Sequence, residues 1–149
     1  MRIVPILLGT ISIAVTLMAA DFAGTWKLNL DKSKLQTNDL ASETMTISQT
    51  GPNNYTTTID TVSKSGEQRH TEIYRIDDGK EHPAKGVGIK ADGATEISQL
   101  VNASTRKITQ KRDGKVVGEI TSMLSSDGKL MTNHRRNGKV EDVLVFERQ

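Results

Sequence analysis

Three histidines, two adjacent carboxylate pairs and a scatter of in-phase polar residues are the side chains of this 149-residue chain whose types suggest chemistry. His70, His82 and His134 lie on separate segments with no short spacing between them, and the chain has no cysteine. Zinc sites draw on clustered His and Cys ligands, so neither a metal site nor a cofactor is expected. Asp77-Asp78 and Glu141-Asp142 are paired carboxylates. Neighbours on a strand point to opposite faces and the first pair reads as part of a turn, so both are expected to be solvated charges rather than general acids. Gly86-Val87-Gly88 is too short for a phosphate loop and no helix follows it. No Gly-x-Ser-x-Gly nucleophile elbow occurs. No catalytic residue is therefore expected, and the chain does not read as an enzyme.

What remains is a set of polar residues in phase with apolar ones. His70 and Glu72 alternate in step with Tyr74 and Ile76, Gln99 with Ile97, Arg106 and Gln110 with Ile108, and His134 with Leu130 and Thr132. If those faces point into a barrel, His70, Glu72, Tyr74, Gln99, Arg106, Gln110 and His134 line a cavity. There they would hold the polar end of a small ligand, as a few polar groups in a mostly apolar pocket commonly do. The alternative is that each marks a strand end meeting water.

The elements that must position these residues are strands. Asp78-Gly79, Asp113-Gly114, Asp127-Gly128 and Asn137-Gly138, each followed by Lys, repeat one tight-turn signal. Such dipeptides supply the positive φ values that type I′ hairpin turns need. Period-2 alternation supports the reading: Trp26, Leu28 and Leu30 alternate with Thr25, Lys27 and Asn29, and Met45 and Ile47 with Thr44, Thr46 and Ser48. Threonines at 56, 57, 58 and 61 favour pleated surfaces. Strands are expected near 24–30, 43–50, 55–62, 68–76, 95–101, 106–112, 115–124, 129–135 and 140–148. Residues 31–42 and 81–93 lack strand character, and the first stretch has room for a short helix. The fold class is all-β: an antiparallel up-and-down meander closing into a barrel of about 8–10 strands, since closure removes exposed edges. Nine strands cannot close a fully antiparallel meander, so either a short strand lies within 82–90 or the barrel is partly open.

Phe22-Ala23-Gly24-Thr25-Trp26 resembles the Gly-x-Trp pattern that opens the first strand of lipocalins and related calycin barrels. The resemblance implies that Gly24 and Trp26 close the bottom of the barrel, with Arg148 on the last strand lying across the indole. The wider texture, with Asp31-Lys32-Ser33-Lys34 after the first strand and then the Asp-Gly-Lys hairpins, is similar to small exported bacterial lipocalin-like proteins. That likeness covers residues 21–149 and implies a fold more than a function.

Residues 1–20 read as a signal peptide: Arg2, an apolar stretch over 3–18, and Ala19-Ala20 before the polar chain begins at Asp21. Residues 21–149 then form a single lipocalin-like domain, expected to be periplasmic or secreted and soluble, without stable membrane insertion after cleavage. Without cysteine there is no lipid anchor on a thiol and no disulfide framework. The charge is nearly balanced, net −3 over 21–100 and +4 over 101–149. With five aromatics after residue 20, the chain lacks the basic stripe and stacking platform of a nucleic-acid binder. The leading expectation is an exported, non-enzymatic binding protein for a small, partly apolar or amphipathic ligand. The alternative is an envelope or extracellular interaction module with a filled barrel, with an enzyme on the same scaffold ranked last.

Overall fold

A computed structural model describes residues 21–36 and 39–149; the signal-peptide expectation for 1–20 lies outside the described residues. Eleven strands form one antiparallel sheet: β1 (Gly24–Lys34), β2 (Leu40–Gln49), β3 (Asn54–Ser63), β4 (Gln68–Ile76), β5 (Glu81–Pro83), β6 (Lys85–Val87), β7 (Ala94–Asn102), β8 (Thr105–Arg112), β9 (Lys115–Leu124), β10 (Leu130–Asn137) and β11 (Val140–Arg148). From β1 to β4 and from β7 to β11 neighbours in sequence are neighbours in space, and β11 returns to pair with β1, so the sheet curls into a nearly closed barrel. No helix occurs among the described residues.

The parity problem resolves at 81–87. β5 pairs antiparallel with β7, and β6, one residue further on, pairs antiparallel with β4. The run is in effect one broken strand that changes neighbour at Ala84. Counted so, the meander has ten strands, the even number closure requires. Between β4 and β7 there is no continuous ladder, and this seam is laced largely by side chains.

Of the stretch expected to have room for a helix, residues 31–34 are a bulged continuation of β1 and 40–42 open β2. Asn29 pairs with Val145 and Lys34 with Val143, so 30–33 bow out of the ladder. Ser33 holds the bow: its hydroxyl donates to the Asn29 carbonyl at 2.6 Å and accepts from the Val145 amide at 2.9 Å. Asn29 and Ser33 bond the local backbone as short polar side chains do in turns. The repeated turn signal also divides. Only Asp113-Gly114 has positive φ at both residues (49° and 76°), as a type I′ turn demands, whereas at the other three sites the glycine alone does.

The core gathers at one end of the barrel, from Phe22, Trp26, Leu28, Met45, Ile47, Tyr55, Leu124, Met131, Leu144 and Phe146. Trp26 is fully buried and opposite Arg148 in the β1–β11 register. Its indole Nε1 donates to the Phe22 carbonyl at 3.0 Å, and the Arg148 guanidinium lies 4.2 Å from the ring centroid. Arg148 also donates to the carbonyls of Ala23 (2.7 Å), Asp21 (2.5 Å) and Gly128 (2.8 Å). Gly24 makes this possible: its φ is 138°, and a Cβ there would stand 2.5 Å from Arg148 Nη1. Gly24, Trp26 and Arg148 meet where β1 and β11 pair.

Candidate ligand-binding site

The inward faces of the strands carry both apolar and charged residues. Met45, Ile47, Ile59, Ile73, Ile108, Ile120, Met131, Leu144 and Phe146 surround an internal cavity of about 80 Å³, shared with Glu43, Thr57, Arg75, Arg106, Gln110, Ser122, Asn133 and Arg135. A volume of that size has room for roughly five waters. Three arginines thus reach the interior of a small barrel, and each is handled differently.

Arg106 is 2% exposed, sandwiched between the rings of Phe22 and Tyr55 at 4.6 and 4.5 Å. Asp77 Oδ2 lies 2.7 Å from its Nη2, while Asp77 Oδ1 accepts from the Ser98 hydroxyl at 2.5 Å. The Arg106–Asp77 contact has the distance of an ion pair without the alignment of a hydrogen bond, and Arg106 Nε has no partner. We therefore read it as electrostatic. Burial draws the guanidinium below its ordinary value, and Asp77 pulls it back. Arg75 makes a two-pronged bond to Glu96, at 3.0 and 3.3 Å, with both side chains under a tenth exposed. Both pairs cross the seam, from β4 and the residue just after it to β7 and β8.

Arg135 is the third, and its buried Nε has no partner among the described residues. It faces Glu43, whose carboxyl is pushed above its ordinary value by burial, with Arg135 drawing it part of the way back. Thr57 Oγ1 and Asn133 Oδ1 are likewise buried and unpartnered. A buried polar atom without a hydrogen bond costs stability, so this part of the interior is poised for polar groups from outside the chain. Because the folded state holds the Glu43 proton more tightly than the unfolded state, stability falls as pH rises from the unfolded value toward the raised folded one. Glu43→Gln is expected to flatten that fall and to raise stability at neutral pH by about 1 kcal/mol. Urea unfolding at pH 4 and pH 7 checks it, and a pH dependence equal to the wild type contradicts it.

The sequence-predicted residues separate cleanly. Arg106 and Gln110 point inward as expected and line the cavity. Gln99 and His134 are exposed on the outer face, because the inward residues of their strands are Glu96 and Ser98 on β7 and Met131, Asn133 and Arg135 on β10. His70, Glu72 and Tyr74 are on the outer face of β4 as well, whose inward residues are Ile73, Arg75 and Asp77. The interior placement expected for these five is overturned: on β4 and β7 buried ion pairs put charges where alternation expects hydrocarbon, and on β10 the buried Met131 sets the inward phase instead of Leu130. On the outer face, His70 Nδ1 sits 2.6 Å from Asp60, and Glu72 accepts from the Tyr74 hydroxyl at 2.8 Å. Asp60 and then Glu72 raise the His70 imidazole above its ordinary value. Sequence reading missed Glu43, Arg75, Glu96, Asn133 and Arg135. The available signal was a second phase on β4 and β10, through Ile73 and Met131.

No protein-family model matches the sequence, and no curated protein matches it. Solved structures do. The fluorescent protein UnaG superposes with a TM-score of 0.62 at 18% identity, covering 86% of this chain and 97% of that one. Human cRBP IV gives 0.62 at 18% identity over 87% and 99%. A Schistosoma mansoni fatty-acid-binding protein, solved in complex with arachidonic acid, gives 0.60 at 17% identity over 86% and 96%. The chain shares the β-barrel fold of these proteins, and at such identity the likeness is one of fold.

Proposed function

We propose that the chain is a non-enzymatic binding protein for a small, partly apolar ligand that carries a hydrogen-bonding group and seats in the barrel. The observation that carries this reading is the internal cavity with its mixed lining. Isoleucine, methionine and phenylalanine side chains supply the apolar wall, while Arg135 Nε, Asn133 Oδ1 and Thr57 Oγ1 are buried without partners. A chain selected only to fill its barrel gains from apolar packing there, because satisfying or removing such atoms is stabilising. The fatty-acid-binding neighbour and its arachidonic acid support the same ligand class. The cavity's size sets a limit. Ligand pockets for drug-sized molecules run to roughly 300 Å³ and more, so only part of such a ligand fits inside at about 80 Å³.

The same reading places the protein outside the cytoplasm, with residues 1–20 removed and 21–149 as the working domain. Phe22, two residues beyond Ala20, is 3% exposed beneath Arg106, and Asp21 and Ala23 accept bonds from Arg148. A chain beginning at Asp21 therefore retains the barrel-bottom contacts made among the described residues. Native mass spectrometry after mild purification tests both points. The expected mass is that of 21–149 plus one small molecule, or one acquired from a lipid and metabolite panel. Absence of any adduct across the panel overturns the ligand reading, and retention of 1–20 in secreted protein overturns the processing.

A further inference from the structure

The seam between β4 and β7 has an inside and an outside. Inside, Arg75 lines the cavity. Outside lies an open groove of about 330 Å³, walled by Tyr55, Tyr74, Ile76, Pro83, His82 and Lys85, with the buried Arg75 and Glu96 also lining it. The Arg75–Glu96 ion pair is thus the partition between groove and cavity. At that level Glu96 is paired with His82 of β5 and Tyr74, beside Arg75, with Lys85 of β6, so β4 and β7 share no ladder with each other and the ion pair joins them directly. The groove is ligand-sized where the cavity is not. Its charged lining is Arg75 and Lys85 against Glu96, with the His82 Nε2 held 2.9 Å from Asp78. Lys85 makes no ion pair among the described residues.

We propose that this groove is a ligand site continuous with the cavity, and that it takes an amphipathic monocarboxylate. The acid group exchanges for Glu96 at Arg75, with Lys85 as second cation, while the tail crosses the seam toward Ile73 and Ile108. A carboxylate is the group suited to that exchange, since it offers the guanidinium the same two-oxygen fork that Glu96 presents. Arg75 stays paired through the exchange, and Glu96 is released into the groove that Lys85 also lines, so two cations face two carboxylates. This inference rests on the binding function proposed above and adds the ligand's class and its door.

Displacement of a bound fluorescent probe, 1-anilinonaphthalene-8-sulfonate, by decanoate and by decanol tests it. Wild type is expected to prefer the acid. Lys85→Gln, a surface change, and the charge-neutral double variant Arg75→Gln/Glu96→Gln, which strands no buried charge, are each expected to cut that preference at least tenfold and leave decanol affinity in place. Because the chain has no cysteine, a bulky maleimide can be placed singly at His82→Cys in the groove, or at Ser63→Cys at the open mouth lined by Leu35, Leu40 and Arg69. The groove label is expected to slow association at least tenfold, the mouth label to leave it unchanged. If both ligands bind but preference survives the variants and only the mouth label slows entry, the seam site is overturned while the binding function stands. If neither ligand nor probe binds, both readings fall.

Discussion

Asp77→Asn is expected to destabilise the protein by about 3–5 kcal/mol, because it leaves a buried guanidinium without its counter-charge. Arg106 is 2% exposed and packed between two rings, so the few waters its side of the cavity can hold only partly replace the lost carboxylate. Phe22 and Tyr55 offer their π faces, each worth about 0.5–2 kcal/mol to a desolvated cation, which falls short of an ionic partner at a buried site. The same substitution weakens the Ser98 bond and with it one of the ties across the seam. Asp77→Asn/Arg106→Met removes both charges and keeps the volume, so it is expected to recover most of the loss. Urea unfolding reads both variants as a shift in midpoint at constant slope. A loss below about 1 kcal/mol for the single variant would mean that the cation is not dry.

Trp26→Ala is expected to cost about 3–5 kcal/mol, the range for emptying a large aromatic site in a core. Trp26 is the fully buried centre of the closed end and joins three separate parts of the chain: Phe22 before β1, β1 itself and Arg148 on β11. Arg148→Met also costs stability, partly through the carbonyls of Ala23 and Gly128 that lose their donor. The two losses are not expected to add. A double-mutant cycle should give a coupling of about 0.5–2 kcal/mol, the value of a guanidinium stacked on an indole. Independent effects would mean that the two ends of the meander do not meet through these side chains.

The two predictions differ in how visible their residues are before folding is known. Trp26 and Arg148 were legible because the Gly-x-Trp pattern marks a strand start, and an antiparallel return of the last strand brings its end to that point. Asp77 and Arg75 were not. On β4 the residues Ile73, Arg75 and Asp77 alternate with Tyr74 and Ile76, so either face could be apolar, and the aromatic one looks the better core. The deciding partners, Glu96, Ser98 and Arg106, stand twenty or more positions away across a seam that no local pattern announces. On β8 the choice was simpler: Ile108 is the single apolar residue between Arg106 and Gln110, and all three point inward. The broken strand at 81–87 was hinted at by parity alone, since two three-residue pieces are too short to show alternation. The bulge at 30–33 was read as room for a helix because Asp31, Lys32 and Ser33 break the pattern, which a bulge does equally well.

The central claim is that the barrel interior receives a ligand, and a cavity-filling substitution tests it most directly. Ile108 lines the cavity and is 4% exposed, so Ile108→Trp puts an indole into the space a ligand would take. Titration of wild type and variant with 1-anilinonaphthalene-8-sulfonate, with far-UV circular dichroism to show that both are folded, gives the comparison. Saturable one-to-one binding by wild type and at least tenfold weaker binding by the folded variant is the predicted result. Equal binding by the two, or none by either, would contradict it.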